Sequence, residues 1–428
     1  MNNIKNEYLI EHLKGYYADK LDRNIGIFKL IHKLKKKLGI SPLDMKNIKK
    51  DILNLKDKNI KIKNKNKINL GLISTWNQHC GIAHLPSKFL VKEFLKNKIN
   101  LIVLSEKTDD IIEKDEDFVY RCWERNDFNY KKILSIIKRN KINVVHIEFT
   151  AFIFKNKNNF LRLLIELHKR KIKVILSLHV LRSYLDEHVC KLADYIIVHN
   201  PALKRFIPHH KKYGNKIIYL NLGIPKIKNS FINNKFNKIM KSKKVISTFG
   251  FVAPYKNFPL IIKAINLIKK KIPSILLLFL ISNHPKFSKI FTEKEYNKML
   301  NLIEKYKLNN NVYINKGYLD DNELFSLLKK SDILLSYSNT SYLTQSGSAK
   351  LLISTLKPVI VNDTLFFGDM DKGVIKAKPN DHKDLAKKII NIIKDKNLQN
   401  RLKKESLQYI KENNMGVIAN KYLDLYLK

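Results

Sequence analysis

Two histidines and a glutamate stand near the ends of successive apolar runs, His146 and Glu148 in "VVHIEF" and His179 in "SLHV". A carboxylate so placed can accept a hydrogen bond from a substrate hydroxyl or take its proton. A histidine at a strand end can hydrogen-bond a substrate, or serve only the surrounding chain. In "STWNQHCGIAHLPSKFL", Gly81 lies between an apolar run and an amphipathic one. A strand that stops at a small-residue loop and restarts as a helix leaves backbone N–H groups unpaired, which suits an anion or a sugar. The plain alternative for Gly81 is a simple turn. Cysteine chemistry is not indicated: Cys80, Cys122 and Cys190 are far apart and lack metal-ligand spacing.

These residues need elements to hold them. Residues 68 to 75, 99 to 105, 142 to 149, 173 to 180, 194 to 200 and 216 to 222 read as short apolar strands separated mostly by helical stretches. A polar, asparagine- and lysine-rich segment follows (229 to 243), and the alternation restarts with strands at 244 to 251, 274 to 282, 310 to 317, 332 to 338, 357 to 363 and 373 to 378. Continuous apolar strands between helices mean parallel sheets covered on both faces. Two series predict two doubly wound α/β domains, with ligands in the cleft outside the carboxyl ends of the strands. The expected division is a lysine-rich helical extension and linker over 1–66, an acceptor-side domain over 67–240 and a donor-side domain over 241–428. The last helix of the third unit is free to return to the second.

The chain has 82 Lys and Arg against 38 Asp and Glu, a net charge of +44 over 428 residues. The excess is spread along the whole chain rather than concentrated in a patch with aromatic partners, which argues against a nucleic-acid binder. Solvated helix faces or an anionic membrane surface fit it better. Within residues 1 to 55, Ile27, Phe28, Leu30, Ile31 and Leu34 form an apolar stripe flanked by lysines. That stripe suits either a membrane surface or packing on the first domain. The N-terminus has no apolar core of a secretory signal, and the run "SILLLFLIS" is too short to span a bilayer. With the separated cysteines, these features predict a cytoplasmic protein, peripheral at most on the inner face of a membrane.

"CGIAHLP", "SLHV" and "ADYIIVHNPALKRFI" in the first series, then "STFGFVAPYKNFPLIIKAINLI" and "NKGYLDDNELFSLLKKSDILLSYS" in the second, resemble glycosyltransferases of the GT-B fold, family 4. The resemblance covers roughly residues 68 to 425 and rests on the order of the motifs more than on any one of them. It implies a GT-B architecture of two Rossmann-like domains. It also implies a retaining transfer, without metal or cofactor, from a nucleotide-diphosphate sugar to a glycan, lipid-linked or protein acceptor, commonly in building the cell envelope. By resemblance Gly81 lies under the donor diphosphate, facing the acceptor, and His179 and Glu148 are the catalytic candidates. Lys256 neutralises the diphosphate, and Gly317, Tyr318 and Leu319 hold the base. Thr344, Gln345, Ser346, Gly347 and Ser348 suit a phosphate nest at a helix N-terminus. Asp320 or Asp321 is expected to cap the next helix, with Leu324, Leu327 and Leu328 as its buried stripe.

The chain also departs from the family's pattern. Phe251 and Ala253 stand where related sequences carry an arginine, and Leu343 and Leu351 stand near two expected glutamates. Two readings therefore remain: an active sugar transferase, and a degenerate GT-B protein that serves as a binding or scaffold subunit.

Overall fold

The computed structural model describes residues 42–56, 58, 60–150, 153–179, 187–201, 204, 207, 210–227, 234–283, 289–339 and 345–428. The apolar stripe at Ile27 to Leu34 and the nest residue Thr344 lie outside them.

Two all-parallel sheets carry the fold. The first comprises β1 (Asn69–Ser74), β2 (Asn100–Glu106), β3 (Val119–Trp123), β4 (Val144–Phe149), β5 (Lys173–Leu178), β6 (Tyr195–Val198) and β7 (Ile217–Tyr219). Its strand order is β3-β2-β1-β4-β5-β6-β7. The second comprises β8 (Lys244–Phe251), β9 (Ile275–Ser282), β10 (Val312–Lys316), β11 (Ile333–Ser336), β12 (Val359–Asn362) and β13 (Val374–Ala377), in the order β10-β9-β8-β11-β12-β13. In both sheets the order reverses beside the first strand, which opens a crevice at the carboxyl ends. β4 and β5 are buried along their whole length, as strands covered on both faces must be. All twelve expected strands appear within these sheets. β3 was not expected; it is an edge strand, only partly buried, with Arg121 at its centre.

The helices that cover the sheets start on side-chain caps. Asn129 accepts from the Lys132 amide, and Asn156 from that of Asn159. Several end on a lysine in the left-handed region, as at Lys98, Lys141, Lys171 and Lys307. A side chain there costs on the order of 1 kcal/mol relative to glycine. The helix Pro42–Leu53 buries Ile48 and Ile52 in the core of the first sheet's helical layer. After it, Lys58 is held by Asp194 at 2.8 Å and by the Ile172 carbonyl at 2.6 Å. That segment therefore lies against the first sheet despite its lysine-rich composition.

The end of the chain crosses back. Ile224 donates to the Asn413 carbonyl at 2.8 Å and accepts from the Met415 amide at 3.0 Å. The approach is so close that a Cβ on Gly223 would lie 2.9 Å from Met415 Cα. From this crossing the helix Met415–Leu427 runs over the first sheet. Its Tyr422 and Tyr426 are buried there, and the buried Lys173 donates to the Tyr426 carbonyl at 2.8 Å.

Candidate functional site

The site residues fall into three groups, all at the carboxyl ends of strands. The first sits on the second sheet. Gly250, the penultimate residue of β8, has a φ of +127° that disfavours side chains, and Lys256 follows in a tight turn. A Cβ on Gly250 would lie 3.6 Å from Lys256 Nζ, an ordinary contact, so the positive φ rather than space calls for glycine here. Lys256 Nζ lies 3.4 Å from Ser348 Oγ. Among the described residues no carboxylate comes within ion-pair reach of it, and burial pulls its pKa down to about 8. Ser346 caps the helix Gly347–Ile353 through the Ala349 amide, and Ser336, Ser346 and Ser348 form a hydroxyl cluster with separations of 2.9 to 3.4 Å. Gln345 is buried, yet among the described residues neither polar atom of its side chain has a hydrogen-bond partner. Leu351, near the place of an expected glutamate, is buried and apolar.

The second group faces it from the first sheet. Gly81 is the first helical residue after β1 and its connecting loop, and the helix continues with a π-helical stretch, Ala83–Phe89, into Leu90–Lys96. A Cβ on Gly81 would meet nothing within 4 Å, so packing does not demand glycine there. Its neighbours bridge the two halves. His79 packs edge-on against Tyr318 at 4.6 Å, His84 Nε2 meets the Asp321 carboxylate at 2.8 Å, and Leu85 lies 3.5 Å from where a Gly347 Cβ would be. Gly317 and Tyr318 are exposed in the loop after β10, with Leu319 half-buried. Asp320 caps the next helix by accepting from the Asn322 and Glu323 amides, and Leu327 and Leu328 are fully buried.

The third group lies at the ends of β4, β5 and β6. Glu148 Oε2 is 2.5 Å from His179 Nε2, and Glu148 Oε1 is 3.4 Å from His146 Nε2. Burial raises the Glu148 carboxyl to about 7 against the opposing pull of His146. Burial lowers His146 to about 4 and His179 to about 3. His146 is not open to a ligand: its Nδ1 meets Tyr426 Oη at 2.7 Å and its Nε2 meets Ser177 Oγ at 2.6 Å.

His199 is the residue that sequence reasoning missed. Its ring stacks on His179 at 5.1 Å, and burial lowers its pKa to about 3. The only signal was its place in "DYIIVHN", one residue beyond a strand, as His179 stands beyond β5. Next to it, Asn200 donates to the Leu365 carbonyl of the second half at 2.5 Å.

Two parallel sheets with the site between their carboxyl ends define the GT-B architecture. Residues 230–409 match the family described as Glycosyl transferases group 1. The chain thus carries a glycosyl transferases group 1 domain over these residues and is a glycosyltransferase (EC 2.4). Solved structures repeat the fold across both sheets. A glycosyltransferase from Rickettsia africae is 15% identical with a TM-score of 0.65, over 84% of this chain and 98% of that one. The Anabaena protein HepE, in complex with UDP and glucose, is 10% identical with a TM-score of 0.61, over 84% and 99%. A UDP-forming trehalose-phosphate synthase from Burkholderia xenovorans is 10% identical with a TM-score of 0.64, over 84% and 99%. No curated protein matches the chain. Among the described residues no helix is long and apolar enough to cross a membrane.

Proposed function

We propose that the chain transfers a sugar from a nucleoside-diphosphate donor held by the second half to a glycan, lipid-linked or protein acceptor placed against the first, with retention and without metal participation. The observation that carries the reading is Lys256. A buried ammonium group with a hydroxyl neighbour and no carboxylate within reach among the described residues is poised for an anion. A diphosphate there is the leaving group of the transfer, and its developing charge is what the site must stabilise. Gly81, Gln345, Ser346, Gly347 and Ser348 complete the donor cradle, and the partnerless Gln345 amide supports that role. Gly317, Tyr318 and Leu319 take the base. Glu148 and His179 orient the acceptor hydroxyl, Glu148 as hydrogen-bond acceptor.

HepE, bound to UDP and glucose, makes uridine diphosphate sugars the first donors to try. The test is calorimetric titration of the chain with a panel of nucleoside diphosphates, followed by a hydrolysis screen over the matching sugar nucleotides. Binding with slow donor hydrolysis is expected. Binding without turnover of any donor would favour the degenerate scaffold, and no heat with any nucleotide would overturn the donor site itself.

In this proposal residues 1 to 55, within an extension and linker over 1–66, help hold the enzyme on an anionic membrane, with domains at 67–240 and 241–428. Each lysine near such a surface contributes about 1 kcal/mol, screened by salt. The full chain should co-sediment with anionic but not neutral vesicles, and a chain starting near Asn66 should do so less. Equal sedimentation would remove the extension from membrane binding.

A further inference from the structure

The helices Tyr130–Arg139 and Lys157–Lys169, one on either side of β4 in sequence, pack against each other over the first sheet. Their inner faces belong to the core, with Ile133 and Ile137 of the first and Leu161 and Leu164 of the second wholly buried. On the outside they leave a groove of about 510 Å³, to which the helix Pro42–Leu53 contributes Asp51. None of the three groups of cleft residues lines it.

The lining is patterned. Lys131, Leu134 and Lys138 form one stripe of the first helix, and Arg162, Ile165 and Lys169 repeat its spacing on the second, with Arg170 next in line. On each helix the outer cations stand about 10 Å apart along the axis, with a buried aliphatic side chain between them. Five cations line the groove against two carboxylates, and one of those, Glu166, is shared between Lys169 at 3.2 Å and Arg170 at 3.8 Å. The groove is therefore left with a positive excess. Only nine of the chain's 82 basic residues are arginine, yet two of these five are. A guanidinium grips a phosphate with two parallel hydrogen bonds, which an ammonium group cannot do.

We propose that this groove binds a small soluble molecule carrying several phosphate groups, at a site separate from that of the sugar donor. Cations toward both ends take the phosphates, and Leu134 and Ile165 form the floor under the atoms that link them. The volume is that of a small-molecule site; a flat anionic surface would need the charge but not the groove. The chain's own first 41 residues are the wrong occupant by charge, with nine Lys and Arg against four Asp and Glu. The proposal does not depend on the donor reading, because Lys256 and its neighbours take no part in it.

The probe is inorganic tripolyphosphate, titrated calorimetrically at physiological ionic strength into the full chain and into Lys256→Met, whose donor site is disabled. Saturable binding that survives Lys256→Met is expected. In that background Lys131→Gln with Lys138→Gln should weaken it by at least about tenfold. Lys403→Gln with Lys404→Gln removes the same charge from exposed positions of the helix Lys396–Asn413 and should change it little. Circular dichroism confirms that each variant is folded. No binding in Lys256→Met would overturn the proposal, as would equal weakening by the two double variants, which would mark a general attraction to the basic surface. A second arm uses anionic and neutral phospholipid vesicles: loss of anionic vesicle binding in the groove variant, without tripolyphosphate binding by the unaltered groove, would make it a membrane contact and overturn the soluble ligand. Nucleoside diphosphate affinity should fall in Lys256→Met and not in the groove variant, so failure of the donor reading and failure of this one are told apart.

Discussion

The hydroxyl of Tyr426, one residue before the end of the helix that closes the second half, lies 2.7 Å from Nδ1 of His146 in the middle of the first sheet. Tyr422 meets Ser177 Oγ at 3.0 Å, and Ser177 meets the other nitrogen of His146. The returning helix therefore does more than cover apolar surface: it completes a buried polar network directly beneath Glu148. In Tyr426→Phe the ring packing survives but a buried imidazole nitrogen loses its partner. The expected loss is about 1 to 3 kcal/mol of stability, read as a lowered urea midpoint at unchanged slope. An unaltered midpoint would show that water replaces the hydroxyl at no cost.

Lys256 gives the donor site its pH dependence. Its folded pKa is about 8 against an ordinary 10.5. The charged form is the one that binds a diphosphate, so affinity should be full below about pH 8 and fall as the pH rises through it. Without ligand the sign reverses. Between 8 and 10.5 the unfolded chain binds more protons than the folded one, so Lys256 makes stability rise with pH across that window. Lys256→Met should abolish both trends and weaken nucleoside diphosphate binding by about 1.5 to 3 kcal/mol. Calorimetry from pH 7 to 9 checks the first trend and urea titration of the free protein from pH 8 to 10 the second.

The strand series was legible because continuous apolar runs between amphipathic helices have few other solutions. β3 escaped because an edge strand needs only one covered side, and "VYRCW" breaks its run with Arg121. The residues at strand ends were found where the strand was found, hence Glu148 and His179. His199 was passed over because its partners, Leu220 and His179, come from other parts of the chain. Interlocking of the halves was equally hidden. His84 with Asp321, and His146 with Tyr426, are separated by hundreds of residues, and no local spacing encodes them.

A second long-range pair is built from charge. Lys350, in the helix that follows the serine cluster, is wholly buried against the Asp369 carboxylate and the Tyr409 hydroxyl. Burial opposes its charge most strongly of any single cause, but Asp369 and Tyr409 together outweigh it and hold its pKa above the ordinary lysine value. Tyr409 also donates to the Asp369 carbonyl and accepts from Asn221 of the first half. Lys350→Met leaves a carboxylate buried without its cation and should cost about 3 to 5 kcal/mol. Adding Asp369→Asn should recover most of that loss. If the double variant is no more stable than the single one, the tyrosine and asparagine contacts, rather than the ion pair, hold this region.

Gly223 marks the point where the chain returns. Its φ is ordinary, so the glycine is required by space and not by backbone conformation. An alanine Cβ would lie 2.4 Å from Met415 Sδ, 2.9 Å from Met415 Cε and 2.9 Å from Met415 Cα. The thioether can swing away; the Cα cannot, because Met415 N is hydrogen-bonded to the Ile224 carbonyl at 3.0 Å. Gly223→Ala must therefore push the crossing strands apart, strain the two backbone hydrogen bonds at Ile224 and displace the start of the helix that carries Tyr422 and Tyr426. The expected cost is about 1 to 3 kcal/mol, seen as a lowered melting temperature. Met415→Ala removes the sulfur but keeps the Cα, so Gly223→Ala with Met415→Ala should regain only part of the loss attributable to Gly223. Full recovery in that pair would mean that the thioether alone sets the approach and that the backbone crossing has room to spare.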